Sequence, residues 1–146
     1  MSEDACPLPG KLPDDQDAVV RRLLAARRIA VVGLSDDPGR PSHDVARYLQ
    51  SVGKEIIPVN PNHAWVLGVK CYSSLAAIPG PVDVVDVFRR PEFCAQVVRE
   101  AVAAGAKGVW LQTGIVSDEA ERVAAEAGID FVQDLCMKVE HMFHGQ

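Results

Sequence analysis

Residues 29–49 read IAVVGLSDDPGRPSHDVARYL, and the order of patterns inside that stretch decides the fold. Ile29 to Gly33 is a continuous apolar run, as a strand buried on both faces must be. It passes through the loop GLSDDPGRPS into a segment where Val45, Tyr48, Leu49 and Val52 recur at i, i+3, i+4 and i+7, one apolar face of a helix. A buried strand running directly into a loop and an amphipathic helix is the opening of a parallel βαβ unit. The loop lacks the Gly-x-Gly-x-x-Gly spacing of a dinucleotide fingerprint, so its other residues must say what it holds.

The same alternation continues along the chain. Strand-like runs fall at Ile29 to Gly33, Glu55 to Val59, Val82 to Phe88, Gly108 to Gln112 and Asp130 to Val132. Helical periods lie between most of them: Phe93, Val97 and Ala101 recur every four residues, and Ala120, Val123, Ala124 and Ala127 follow the i, i+3, i+4, i+7 rule. Asn60 to Gly80, rich in Pro, Ser and Gly, leaves room only for a short helix near Ser74 to Ala77. Asp14 to Arg27 reads as a leading helix, with acids in its first turn, arginines at its end, and Val19, Val20, Leu23 and Leu24 on one side. Residues 1–13, with three prolines and one glycine, read as an irregular lead-in, and residues 14–146 as one domain. The expected fold is α/β, a Rossmann-like doubly wound parallel sheet of about five strands with helices on both faces in three layers.

Composition narrows the function. A formal net charge of −5 argues against a nucleic-acid or acidic-membrane partner, so any anion must be held by locally placed cations and amides. No apolar run approaches the roughly 18 residues of a membrane span, and the acidic start MSEDACPLPG is unlike a signal peptide, which implies a cytoplasmic protein. The four cysteines form no Cys-x-x-Cys pair and read as free thiols. Cys136, His141 and His144 lack the tighter cysteine pairs of a zinc site, so no metal is expected.

Ligands of such sheets bind beyond the carboxyl ends of the strands, where strand order reverses. The segments to inspect are therefore Gly33 to Ser42, Asn60 to Asn62, Phe88 to Pro91, Gln112 to Gly114 and Gln133 to Cys136. They bring Arg40, Arg89 and Arg90 to one edge of an acidic protein, which points to an anionic ligand. In the first loop Gly33 permits a tight turn, Ser35 offers a hydroxyl, Ser42 stands at the expected helix N-cap, and Arg40 supplies a fork of phosphate donors. The alternative is a well-capped crossover turn with a solvated arginine. After the second strand an NAD site would carry an acid for the ribose diol; here Asn60 stands in that place. A neutral residue shifts weight from NAD toward a phosphorylated ribose, that of coenzyme A or NADP, unless Asn60 is only a turn residue before Pro61.

Six segments carry a resemblance: GLSDDPGRPSHDVARYLQSVG, IIPVNPN, LGVKCYSSLAAIP, PVDVVDVFRR, GAKGVWLQTGI and CMKVEH. In that order they resemble the small single-domain CoA-binding proteins, related to the nucleotide-binding domain that begins the succinyl-CoA synthetase alpha subunit. The resemblance spans about residues 24–142. It implies that Gly33, Leu34, Ser35, Arg40 and Ser42 hold the pyrophosphate, Asn60 and Pro61 flank the ribose, Phe88, Arg89 and Arg90 lie by the adenosine, and Gln112 to Gly114 face the pantetheine. One position departs from the pattern: where the synthetase domains place a lysine for the 3'-phosphate, this chain has Asn62 and His63, leaving that contact to an arginine. The related enzymes react through a histidine in a second domain, so the resemblance implies a binder of CoA or acyl-CoA that catalyses nothing alone. The other reading is an NADP- or acyl-CoA-dependent enzyme whose site a homodimer partner completes.

Remaining chemistry-bearing residues read as structural. Asp83 and Asp86 lie in the third strand, where a carboxylate needs a partner, and structural roles are favoured over a general base. Glu140 and His141 are adjacent on a helix and point apart. Cys136 follows the last strand and reads as an inert thiol rather than one that pairs with CoA. Trp110 reads as core and Trp65 as a rim residue.

Overall fold

The computed structural model describes residues 13–144 of the chain. In chain order the elements are α1 (Pro13–Leu24), β1 (Arg28–Val32), α2 (Pro41–Ser51), β2 (Glu55–Val59), β3 (Trp65–Val66), β4 (Val69–Lys70), a 3₁₀ turn at Leu75–Ala77, β5 (Val84–Val87), α3 (Pro91–Ala103), β6 (Gly108–Leu111), α4 (Asp118–Ala127), β7 (Asp130–Val132) and α5 (Met137–His144). Strands β2, β1, β5, β6 and β7 lie side by side in that order, all parallel. The chain therefore winds outward from β1 to β2, returns to β5 and winds outward the other way. The reversal lies between β1 and β5, where a crevice opens at the carboxyl ends of the strands.

Alternate strand residues feed two separate cores. Ile29, Val31, Ile56, Val84, Trp110 and Val132 pack with Leu23, Leu24, Val45, Leu49 and Met137 of α1, α2 and α5. Ala30, Val32, Ile57, Val59, Val85, Val87, Val109 and Leu111 pack on the other face with Leu75, Val98, Ala101 and Ala120 of the 3₁₀ turn, α3 and α4. This is the expected three-layer Rossmann-like architecture. It explains why the strands read as unbroken apolar runs, since both of their faces are dry. Gly108 opens β6 because a Cβ there would come within 2.4 Å of Leu23 Cδ2.

Several boundaries differ from the sequence reading. The helix before β1 begins at Pro13, inside the stretch read as an irregular lead-in, whose other residues lie outside the described part. It ends at Leu24 rather than Arg27. Asp83 accepts the Arg28 backbone N–H at 3.0 Å through its side chain, so β5 starts only at Val84. The Asn60–Gly80 segment holds, besides the expected short turn at Leu75–Ala77, the antiparallel hairpin β3–β4. Its two-residue turn, Leu67 and Gly68, has positive φ at both positions, and a leucine in place of the usual asparagine hid it. Among the described residues no helix is long and apolar enough to cross a membrane.

Candidate functional site

The loop after β1 is built to a fixed shape. The Ser35 N–H donates to Ser42 Oγ at 3.0 Å, the Asp37 N–H to Ser35 Oγ at 3.0 Å, and the Gly39 N–H to Asp37 Oδ1 at 2.9 Å. Each serine oxygen thus serves as an acceptor within the loop. Helix α2 starts at Pro41 with Arg40 as N-cap, so the expectation of a Ser42 cap is corrected. Proline, with φ preset and no N–H to satisfy, is suited to the first helical position and moves the start forward. Ser42 instead lies buried in the first turn and turns its oxygen back to Ser35. Arg40 is exposed, and its guanidinium makes no hydrogen bond or ion pair among the described residues.

Three loops meet at the reversal point. Gly33 has φ +85°, and a Cβ there would lie 2.5 Å from the carbonyl oxygen of Phe88, so the loops after β1 and β5 approach as closely as backbone allows. Asn60 fastens the third. Its Nδ2 donates to the Leu34 carbonyl at 3.1 Å and its Oδ1 accepts the Asn62 N–H at 2.9 Å. The side chain makes the turn before Pro61 and also ties that turn to the first loop.

The two neighbouring arginines both lie over the Phe93 ring, Arg90 with its guanidinium carbon 5.4 Å from the ring centre, but differ in their relation to the cleft. Arg89 has its guanidinium carbon 4.5 Å from the centre of the Phe93 ring and lines a cleft of about 510 Å³. The cleft is walled also by Gly33, Asn60, Pro61, Asn62 and Ser74. Arg90 lies outside it, as the N-cap of α3, with Nε 3.5 Å from Glu92 Oε2 in a fully solvated pair worth little. Buried thiols hold these loops from beneath. Cys94 Sγ lies 3.7 Å and 3.5 Å from the carbonyls of Arg89 and Arg90, and Cys71 Sγ 3.4 Å from that of Asn60. Burial pushes the Cys94 thiol up to about 11 and raises that of Cys71, so both stay protonated donors.

At the next strand end Gln112 turns inward. It is buried, its Nε2 donates to Asp86 Oδ1, and its Oε1 accepts the Met137 N–H that begins α5, at 3.4 Å. Gly114 stays exposed, its N–H held by Asp134 Oδ1 at 2.8 Å. Asp86 has no exposed surface, and burial raises its carboxyl to about 7 against the opposing bonds from Gln112 and Val87. Its Oδ2 has no hydrogen-bond partner among the described residues. His141 is also inside, with Nδ1 2.8 Å from Tyr48 Oη. Trp110 is fully buried and donates to the Leu135 carbonyl at 2.8 Å, whereas Trp65 is 65% exposed.

This edge thus carries two serine hydroxyls and an arginine within the first loop, and a second arginine lining the cleft. The sequence profile described as "CoA binding domain" matches residues 27–142. The chain belongs to this family. It is 49% identical over 119 residues to the uncharacterized protein YneT of Bacillus subtilis, covering 82% of this chain and 88% of that one. It is 36% identical over 104 residues to the alpha subunit of an ADP-forming acetate–CoA ligase II from Pyrococcus furiosus. That match takes in 68% of this chain but only 23% of the subunit. Among solved structures, a hypothetical protein from Pyrococcus horikoshii superposes with a TM-score of 0.84 at 37% identity, covering 93% of this chain and 98% of the other.

The two thiol clamps and Glu100, which also lines the cleft, were not singled out in the sequence. Cys71 and Cys94 carry no spacing signal. Glu100 sits in α3, far along the chain from any strand end, where a loop-by-loop reading does not look.

Proposed function

We propose that the protein binds coenzyme A or an acyl-CoA by its nucleotide end at the carboxyl edge of the sheet and does not catalyse a reaction alone. The observation that carries this reading is the cleft at the β1–β5 reversal, lined by Arg89 and by Gly33, the residue that opens the internally hydrogen-bonded Gly33–Ser42 loop. In this reading the pyrophosphate lies against the Ser35 and Ser42 hydroxyls and Arg40. The ribose lies by Asn60 and Pro61, with Leu34 fixing the floor. Arg89, rather than the missing lysine, takes the 3'-phosphate, Phe88 borders the adenosine, and Arg90 stays at the solvent edge. The pantetheine leaves past Gly114, with Gln112 holding the edge from beneath. CoA itself would supply a thiol or thioester, and the chain's own residues bind and orient it.

Asp86, with a carboxyl raised to about 7, is the group an acid–base enzyme would use. Its complete burial and its bond to Gln112 favour a supporting role. Calorimetric titration with CoA, dephospho-CoA and NADP tests the binding reading. CoA should bind at micromolar concentration and more tightly than either of the others. Tighter binding of NADP, or no binding of CoA, would reject it.

A further inference from the structure

The crossover between β2 and β5 carries a 3₁₀ turn where doubly wound folds carry a full helix, and this leaves one flank of α3 open. The cleft that Arg89 enters does not stop at the sheet edge. A second cavity of about 340 Å³ shares Ser74, Leu75 and Glu100 with it, so the two form one trench between the 3₁₀ turn and α3. The walls of the extension are apolar, formed by Leu75, Ile78, Ala103 and Ala104. Its polar side chains are Ser74, at the junction with the first cavity, and Glu100. One carboxylate oxygen accepts Gln96 Nε2 at 3.2 Å, and the other accepts no hydrogen bond among the described residues.

The trench thus presents a cation at its mouth, apolar walls beyond, and a hydrogen-bond acceptor between the two. A nucleoside phosphate with an amino-bearing base has the matching sequence of features: an anion on the ribose, two flat apolar faces, and an exocyclic N–H donor on the edge. We propose that the base of the bound nucleotide enters this trench and that Glu100 selects it by accepting a hydrogen bond from its exocyclic amine. The inference rests on the CoA reading above and adds a specificity residue to it. A carboxylate oxygen accepting from an amine discriminates more sharply than a neutral acceptor, because hydrogen bonds to charged groups are the stronger class.

The test compares CoA with etheno-CoA, in which the adenine amine is bridged and has no N–H, on the wild type and on Glu100→Ala. Glu100 is exposed on a helix, where alanine is well tolerated, so the variant keeps the fold. The wild type should bind CoA at least about tenfold more tightly than etheno-CoA, and Glu100→Ala should bind the two equally. Equal binding by the wild type would overturn the inference while leaving CoA binding intact. A preference that persists in Glu100→Ala would overturn it too, since the bridged ring would then be excluded by size. A wild type that binds neither ligand would remove the CoA reading itself.

Discussion

At Gly33 a single hydrogen in place of a side chain sets the geometry of the whole edge. With φ at +85° and the Phe88 oxygen 2.5 Å from where a Cβ would stand, Gly33→Ala must push two loops apart as well as adopt an unfavourable backbone. Thermal denaturation of that variant should show a loss of about 1–3 kcal/mol. A melting temperature equal to that of the wild type would mean that the loops are not in close contact. Asp86 gives a second test at this scale. Its folded carboxyl titrates near 7, above the ordinary 3.8, so the folded state holds the proton more tightly than the unfolded one. The stability this group contributes is therefore fully present below about pH 4 and is lost as pH rises through about 7. Asp86→Asn does not titrate. Measured by denaturant unfolding, it should gain on the wild type from about pH 4 to pH 7 and level off above that, by an amount on the order of 4 kcal/mol at the limit. A difference that stays constant across that range would contradict the assignment.

Between one element and the next, the division of labour at the start of α3 can be separated experimentally. Both arginines lie over Phe93, but Arg89 lines the cleft, whereas Arg90 stays outside it and pairs with Glu92 in solvent. Arg89→Ala should lower CoA affinity by about tenfold or more while leaving dephospho-CoA nearly unaffected, as expected for a charge-assisted bond to the 3'-phosphate. Arg90→Ala should change either affinity by less than about threefold. Equal losses for both ligands in Arg89→Ala would place the arginine on another part of the nucleotide. This distinction was not legible in the sequence, where the two arginines are adjacent and alike; only the turn of the backbone into α3 tells them apart. The strands were legible because burial on both faces leaves continuous apolar runs such as Ile29 to Gly33. The β3–β4 hairpin was not, since a leucine occupies a turn position with positive φ. Ser42 misled for a related reason: serine favours the N-cap, but Pro41 claims the first helical position and moves the cap back to Arg40.

For the molecule as a whole, strand order places the proposed binding edge. Because β1 and β5 are neighbours while β2 lies on the far side of β1, the loops with Gly33, Arg40, Asn60 and Arg89 gather at one crevice. The sequence placed those loops at the ends of its strands, and the structure brings them together there. The sequence could not show that Gln112 turns inward to Asp86, because side-chain direction at a strand end depends on what lies beneath. Nor could it show the trench beside α3, which exists because the crossover lacks a helix. The most direct test of the central claim is a crystal structure of the protein with CoA. The CoA reading requires the pyrophosphate against Ser35 and Ser42, and the 3'-phosphate within hydrogen-bond distance of the Arg89 guanidinium. A nucleotide bound anywhere other than the carboxyl edge of β1 and β5, or one whose 3'-phosphate points away from Arg89, would contradict it.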